Sequence, residues 1–434
     1  MNRAAFARML KVDDLCTRMG KIDKIVGMTV EATGPTSNIG DVCKIGLSDG
    51  REVTAEVVGF KENKVLLMPY EDTEGIGFGS TVVNTGQKLS INVCDEMIGR
   101  TIDALGRPID GGGPIPDHGI RYSVVGEPSN PMERPRIDTP IQMGVKAIDG
   151  FLTIGKGQRM GIFAGSGVGK STLMGMLARN VKADVNVIAL VGERGREVVE
   201  FLERDLGEEG KARSVVVCAT SDQPAMLRNK CAMSATAVAE YFRDQGKDVL
   251  LMMDSVTRFC MAQRDIGLAI GEPPVARGYT PSIYSALPKL LERSGNFNKG
   301  SITGIYTVLV EGDDMNEPIA DTVRSIIDGH VMLNRKIAQK NHFPAIDVLA
   351  SISRLMSDIA SPELKAAAGR MRNLMAVHDA NADLISIGAY KSGTNPVLDD
   401  AIAHIDKINE LLQQRVDEKY TYEQTEQLMI ETAK

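Results

Sequence analysis

Aromatic residues are scarce in this sequence, which has no tryptophan and only 4% aromatic residues among its 434. Proteins that bind single-stranded nucleic acid stack bases on aromatic side chains and contact phosphates with basic ones. This chain is poor in aromatic residues. Its formal net charge of −7 also shows that it has no excess of basic residues. The composition therefore argues against a chain that works on nucleic acid or lies directly on an anionic membrane.

Cysteine is also used sparingly, and its spacing excludes two further classes. The six cysteines show no C-x-x-C spacing and no accompanying histidine cluster. This pattern predicts neither a zinc site nor a disulfide framework, and indicates reduced thiols in a cytosolic protein. The sequence also lacks an uninterrupted apolar run of bilayer length and a signal peptide. The basic, partly amphipathic start instead predicts a helix over residues 1–22 that docks on a partner or packs on the chain.

The length predicts several domains, because 434 residues exceed one ordinary core. Residues 23–95 show short strands separated by turns, which predicts a small β-barrel. Residues 96–360 open with a Pro- and Gly-rich connector and continue with alternating strands and helices, and the strands are continuous apolar runs buried on both faces. Residues 361–434 carry helical patterns. The predicted architecture is an α/β domain with a parallel sheet covered by helices, between an N-terminal β-barrel and a C-terminal helical domain.

One stretch of the α/β region has the form of a phosphate-binding loop between a strand and a helix. Its sequence is QRMGIFAGSGVGKSTLMGML, residues 158–177. Glycines let backbone N–H groups surround a phosphate, the lysine brings a positive charge, and the hydroxyl after it can bind Mg²⁺. The first glycine of the usual pattern is Ala164, which is acceptable if that position needs no positive φ. The predicted nucleotide-binding residues of the loop are Gly165, Ser166, Gly167, Val168, Gly169, Lys170, Ser171 and Thr172.

Two carboxylates follow apolar strands, where the chemistry of hydrolysis needs them. Asp254 ends the strand VLLMMD, the position of an aspartate that holds magnesium beside a phosphate loop. Glu193 follows the strand VNVIALVG and is placed to orient or activate a water molecule. Spacing alone equally allows Glu193 to be an ordinary ion-pair partner of Arg194 or Arg196.

Six motifs occur in this order along the chain: GRPIDG, GVKAID, AGSGVGKST, GERGREV, LLMMDSVTRFCMAQRDIGLAIGEPP and PAIDVLASISR. Together they resemble the catalytic subunits of rotary ATPases, and among these the ATPases of type III protein export. The wording of the phosphate loop resembles the flagellar branch. The resemblance extends from about Lys24 to the C terminus and implies an α/β RecA-like P-loop core between the barrel and the helical domain.

The resemblance implies a role for individual residues. It implies that Lys170 and Ser171 bind phosphate and Mg²⁺, and that Asp254 holds the metal. The remaining matched residues contact the nucleotide or the attacking water. They are Glu193 for the water, Arg194 and Arg258 for the γ-phosphate, Phe343 for adenine, and Arg354 as an arginine finger on the nucleotide of the neighbouring subunit. The alternative is that Arg354 has only a structural role and binds carboxylates of its own chain.

The resemblance also implies an assembly and a cellular role. We expect a homohexamer that hydrolyses MgATP to energise or prime flagellar type III export at the cytoplasmic face of the export apparatus. Implied partners are a central coiled-coil stalk, a negative regulator resembling a stator at the N-terminal helix, the export gate, chaperones and export substrates, with no nucleic acid and with membrane contact only through partners. The alternatives are a non-flagellar type III secretion ATPase, a hexameric RNA translocase and a ring subunit that binds nucleotide without hydrolysing it.

Overall fold

The computed structural model describes residues 19–127, 129–310, 312 and 314–434. The helix predicted over residues 1–22 lies outside the described residues, except for its last four, which belong to the first strand. Within the described chain, no helix has both the length and the apolar character needed to cross a bilayer.

The described chain begins with a closed six-stranded antiparallel barrel, in the order β1-β2-β5-β4-β3-β6. One predicted hairpin turn lies at Glu62 and Asn63, whose φ angles of 48° and 62° suit a tight turn between twisted strands. The inward side chains form a separate apolar core that includes Ile22, Ile45 and Leu67. The strands are β1 Met19–Val26, β2 Thr29–Thr33, β3 Asp41–Gly46, β4 Glu52–Lys61, β5 Lys64–Pro69 and β6 Thr81–Lys88.

The barrel is fastened to the next domain by a buried ion pair. Lys230 Nζ lies 2.8 Å from Glu56 of β4, and the Tyr70 hydroxyl donates a hydrogen bond to the same carboxylate. All three residues are at least nine-tenths buried. Removing one member of such a buried pair leaves an uncompensated buried charge. The folded structure of each domain therefore depends on the presence of the other.

The central domain is built on a nine-stranded sheet within the described residues, and most neighbouring strands are parallel. Four continuous apolar runs form the strands β11 (Val185–Val191), β12 (Ser214–Ala219), β13 (Asp248–Asp254) and β15 (Ser301–Leu309), and helices cover both faces of the sheet. The connector adds a strand that its composition did not predict, because β8 pairs parallel with β12. The strand order is β17-β16-β10-β15-β13-β11-β12-β8, and β14 pairs with β15.

The other strands and the helices have the following bounds. A two-stranded sheet joins β7 Ser90–Asn92 to β9 Arg121–Ser123. The large sheet contains β8 Thr101–Asp103, β10 Arg159–Ala164, β11 Val185–Val191, β12 Ser214–Ala219, β13 Asp248–Asp254, β14 Gly295–Asn296, β15 Ser301–Leu309, β16 Gly329–Leu333 and β17 Ile352–Ser353. The α-helices of the central domain are α1 Lys146–Phe151, α2 Lys170–Asn180, α3 Gly195–Glu200, α4 Gly207–Lys211, α5 Ala225–Asp244, α6 Val256–Ile270, α7 Pro281–Leu291, α8 Pro318–Ile326, α9 Arg335–Gln339 and α10 Met356–Ile359. A π-helical segment, Phe201–Leu206, lies between α3 and α4.

The C-terminal region is helical and packs against the central domain. Its helices are α11 Pro362–Ala380, α12 Ala382–Ser386, α13 Pro396–Leu412 and α14 Tyr422–Thr432. Side-chain caps start three of them, because Ser361, Asn395 and Thr421 each accept hydrogen bonds from first-turn N–H groups. Buried residues such as Met371 and Met429 join the apolar core on the phosphate-loop side of the sheet. The predicted fold class of barrel, RecA-like core and helical domain is thus confirmed.

Candidate nucleotide-hydrolysis site

Three of the predicted site elements lie at one edge of the central sheet. The phosphate loop follows β10, Asp254 ends β13, and Glu193 lies two residues beyond the end of β11. In the sheet, β10, β15, β13 and β11 are successive parallel neighbours. Ligands of open α/β sheets bind outside the carboxyl ends of the strands, so this edge is the expected place for a site.

The phosphate loop has the backbone that its glycines allow. Gly167 and Gly169 have φ angles of 77° and 90°, in the left-handed region that favours glycine. Ala164 is the last residue of β10 and therefore has extended backbone, which explains why alanine is tolerated there. Helix α2 begins at Lys170, so its first N–H groups face the loop and can bind an anion.

Lys170 lies between the two predicted carboxylates. Its Nζ donates a hydrogen bond to Asp254 Oδ1 and is 3.8 Å from Glu193 Oε1. Thr307 of β15 donates a second hydrogen bond to Asp254 Oδ1, at 2.7 Å. Burial acts to lower the pKa of Lys170, but the charges of Asp254 and Glu193 outweigh it and raise that pKa above its usual value. The lysine is therefore a fixed positive charge at the start of α2.

Glu193 has the environment of a proton acceptor near neutral pH. Burial, followed by the negative charge of Asp254, raises the pKa of Glu193 to about 7. Its Oε1 is buried and accepts no hydrogen bond from the described residues. A carboxylate with a raised pKa and a buried, unused lone pair is suited to bind and polarise a water molecule.

The ordinary ion pairs that spacing allowed for Glu193 are not formed. Arg194 Nη1 lies 3.4 Å from Glu197, and Arg196 Nη1 lies 2.6 Å from Glu200. Both arginines are exposed: Arg194 is the N-cap of α3, and Arg196 lies in its first turn. Sequence spacing allowed Glu193 equally well to orient a water molecule or to pair with Arg194 or Arg196. In the structure its carboxylate lies beside Lys170 and pairs with neither arginine.

Arg258 approaches the same place from helix α6. Ser255 caps this helix by accepting a hydrogen bond from the Arg258 N–H at 3.3 Å. A methyl group at Gly192 would lie 3.2 Å from Arg258 Cβ, so the glycine permits this close packing beside Glu193. Arg258 Nε is buried and has no hydrogen-bond partner in the described part of the chain. A buried donor without a partner is costly, which points to a ligand group that would satisfy it.

Phe343 and the C-terminal domain enclose a cavity beside the phosphate loop. The cavity has a volume of about 870 Å³. A methyl group at Gly169 would lie 3.5 Å from the Phe343 ring, and that side chain is 43% exposed. A flat ring at the rim of a cavity next to a phosphate site can stack on a nucleobase. Other lining residues are Lys146, Thr172, Leu173, Met176, Pro344, Gln414 and Tyr420.

Arg354 is not brought into this cluster. It follows β17 at the edge of the sheet beyond β16, and its side chain is exposed. Its Nη2 donates a long hydrogen bond of 3.4 Å to the Arg324 carbonyl. No carboxylate of the described residues pairs with its guanidinium, which disfavours the alternative of an internal ion pair.

Two residues that the sequence interpretation missed contribute to the site. Glu197 helps raise the pKa of Glu193 through its side chain, after burial and the charge of Asp254. Its position in the first turn of the helix that follows Glu193 was a usable signal. Gln414 gave no such signal, since it accepts from the Lys146 N–H at 2.9 Å across a separation of 268 residues. Its own N–H donates to the Phe343 carbonyl at 3.0 Å, so it holds the cavity wall.

The fold and the site define a protein of the P-loop nucleotide-binding class. The nucleotide-binding domain of the ATP synthase alpha/beta family matches residues 144–353. The beta-barrel domain of that family matches residues 22–86, and the T3SS EscN ATPase C-terminal domain matches residues 360–431. These three matches follow the barrel, the central sheet and the helical region in order.

Relatives of known name cover nearly the whole chain. A flagellum-specific ATP synthase of Bacillus subtilis is 53% identical over 96% of this chain and 95% of its own. A type 3 secretion system ATPase of Xanthomonas euvesicatoria is 49% identical over 95% and 93%. The assembled ATPase EscN of enteropathogenic E. coli superposes with a TM-score of 0.91 at 46% identity, over 96% of this chain and all of that one. The chain belongs to the flagellum-specific and type 3 secretion ATPases of the ATP synthase alpha/beta family.

Proposed function

We propose that this chain hydrolyses MgATP in a homohexameric ring that energises the type III export of flagellar proteins. The observation that carries the proposal is the placement of Lys170 between Asp254 and Glu193 at the end of the phosphate loop, with Arg354 exposed elsewhere on the same chain. One chain thus carries most of a hydrolytic site and, separately, an exposed arginine that has no ion-pair partner among the described residues and could reach a neighbour. A ring of identical subunits joins the two parts at every interface.

The residues present fit a magnesium nucleotide. Arg258 Nε and Glu193 Oε1 are buried polar atoms that lack hydrogen-bond partners among the described residues, and a bound phosphate and water would supply them. Ser171 and Asp254 would hold Mg²⁺, which when bound contributes positive charge beside the phosphates. Phosphate oxygens would also compete with Asp254 for Lys170, so the lysine would exchange one anionic partner for another.

The other residues have roles that follow from their positions. The N–H groups from Gly165 to Thr172 would bind the phosphates, and Phe343 would stack on adenine. Glu193 would orient the attacking water and accept its proton, while Arg258 and Arg194 would approach the γ-phosphate. Arg354 of one subunit would complete the site of the next by stabilising charge on the transferred phosphoryl group.

The partners we propose follow the same resemblance. EscN has been solved in complex with its central stalk EscO. We propose a coiled-coil stalk for this chain too, along with chaperones, export substrates and the export gate, and a negative regulator at the N-terminal segment. Leu384, Ile387 and Val397 are exposed apolar side chains of the C-terminal domain, at 48%, 74% and 51%, and favour contact with such proteins. These partners would place the ring at the cytoplasmic face of the export apparatus.

A pH profile tests the assignment of Glu193. Because burial and the charge of Asp254 raise its pKa to about 7, the carboxylate is lost to protonation as the pH falls through that value. We expect kcat/KM for ATP hydrolysis to be constant above about pH 8 and to fall by about tenfold per pH unit well below 7. Thermal unfolding in the same buffers controls for loss of structure, and a profile without an inflection near neutrality contradicts the assignment.

Deleting the gene tests the cellular role. We expect a non-motile strain without flagellar filaments, restored by the wild-type gene but not by a gene carrying Glu193→Gln. The second candidate is a non-flagellar secretion ATPase, which the 49% identity to the Xanthomonas enzyme favours. Normal filaments with a loss of secretion of other proteins would establish that candidate instead. Normal filaments and normal secretion would contradict both.

A further inference from the structure

We propose that Cys94, Glu96 and His118 form a binding site for a divalent transition-metal cation of the zinc class. One ligand atom from each residue lies within 4.8 Å of the other two. His118 Nε2 and Glu96 Oε1 form a hydrogen bond of 3.0 Å, and a cation would take the place of the proton that they share. Thiolate, imidazole and carboxylate are the three side-chain ligand types that Zn²⁺ accepts.

The fold brings the three residues together through a strand pair. In the antiparallel pair β7 and β9, Asn92 lies opposite Arg121. The pairing continues one step further, because the Val93 N–H donates to the Ile120 carbonyl at 3.1 Å. Cys94 therefore faces the residues just before Ile120, where the chain returns from the glycine-rich connector. The 24-residue separation of Cys94 and His118 explains why cysteine spacing gave no sign of a metal site.

Both halves of the site are anchored by contacts of their own. Asn92 Nδ2 donates to the Pro116 carbonyl at 2.8 Å, which holds the His118 loop against the strand. Asp117 accepts hydrogen bonds from the Gly119 N–H at 2.9 Å and from Arg121 at 2.9 Å. These bonds position His118 without using its side chain. The backbone that carries His118 is thus held beside the segment that carries Cys94 and Glu96.

The burial of the ligands suits a site that exchanges metal with solvent. Cys94 is 1% exposed, whereas the Glu96 and His118 side chains are each 50% exposed. The inner thiol would bind as the thiolate and release its proton to water. The outer two ligands leave an entry path and room for a water molecule at the fourth position of a tetrahedral zinc site.

A metal at this position would strengthen the attachment of the connector loop to the central domain. Asp95, between two of the ligands, accepts hydrogen bonds from Tyr241 at 3.2 Å and Gln245 at 3.1 Å, at the end of α5. The ligand segment is therefore already tied to the central domain, and the metal would tie it to the connector loop as well. The expected effect is on the stability of the chain and not on phosphate chemistry.

The test is a titration of the full chain with Co²⁺ in the absence of nucleotide. We expect one equivalent to bind with the near-ultraviolet band of a cobalt thiolate, Zn²⁺ to abolish the band by displacement, and Zn²⁺ to raise the unfolding temperature. Cys94→Ser should abolish the band. His118→Gln and Glu96→Gln should each weaken metal affinity by at least about tenfold, the loss that even an outer partner of a ligand causes.

Control variants make each outcome decisive. Cys43→Ser removes a buried cysteine of the barrel core and should keep the band. Glu96 and His118 are half exposed, so their variants should fold even if Cys94→Ser does not. Absence of a thiolate band in the wild-type chain overturns the proposal. So does a band that His118→Gln and Glu96→Gln leave unchanged. These measurements need no ATP. The metal site can therefore be disproved while the proposed hydrolysis stands, and the proposed hydrolysis can be disproved while the metal site stands.

Discussion

Replacing Glu193 by glutamine is expected to leave ATP binding within a few-fold of wild type and to reduce hydrolysis by about 10²–10⁴-fold, the range for loss of a general base. Glutamine keeps the shape of the side chain and removes its capacity to accept a proton. The contact of Glu193 with Lys170 is long, at 3.8 Å, and Lys170 keeps its hydrogen bond to Asp254. The phosphate loop should therefore retain its structure. Calorimetric ATP binding and phosphate release measure the two quantities separately.

Glu200→Gln is the matched control for this variant. Glu200 ends α3, seven residues from Glu193, and pairs with Arg196 on the surface. The same chemical change there should leave turnover near the wild-type value, because surface pairs contribute little. Hydrolysis by Glu193→Gln at the wild-type rate would remove Glu193 from the mechanism. Loss of ATP binding along with turnover would show that the residue holds the nucleotide and does not serve as the base.

Replacing Arg354 by alanine is expected to leave the nucleotide affinity of a single chain unchanged and to lower the turnover of the assembled ring by about 10³–10⁵-fold, the contribution of an arginine finger. The exposed side chain makes no ion pair within the described residues, so its removal should cost little stability. Arg354→Lys should lose most of the activity too, because an ammonium lacks the planar fork of donors. Arg370→Ala, which removes another exposed arginine, is the control.

Mixing the two inactive variants separates a finger in trans from one in cis. In rings formed from equal amounts of Glu193→Gln and Arg354→Ala chains, about a quarter of the interfaces pair an intact glutamate with an intact arginine from the neighbour. Hydrolysis should therefore return to about a quarter of the wild-type rate. Activity that stays at the level of the separate variants contradicts the finger in trans, provided that a tag on one variant co-purifies the other and so shows mixed rings.

The central fold was predictable because its local and global signals agree. The strands β11, β12, β13 and β15 are continuous apolar runs, as a parallel sheet covered on both faces requires. Glu62 and Asn63 mark a turn whose geometry depends only on neighbouring residues. The phosphate loop is also local in sequence. Because parallel strands end at the same edge of a sheet, the sequence alone predicts Asp254 and Glu193 near the phosphate loop.

Other features depend on contacts between distant segments and left no local pattern. The three residues of β8 have no strand-like run, and their pairing with β12 is imposed by the sheet edge that the connector crosses. Gln414 resembles any polar residue after a helix until the fold places it against Lys146 and Phe343. The raised pKa of Glu193 depends on burial beside Asp254, a property of the packed site. Sequence spacing alone therefore could not choose between its two roles.

The buried pair of Lys230 with Glu56 determines where the chain can be divided. A fragment that begins after the barrel would keep Lys230 on α5 but lose both Glu56 and Tyr70. Losing one partner of a buried pair typically destabilises a protein by about 3–5 kcal/mol, a large part of the stability of an ordinary domain. The barrel therefore cannot be exchanged between relatives independently of the central domain. Chimeras between relatives would have to inherit these three side chains together, as a single unit of exchange that spans two domains.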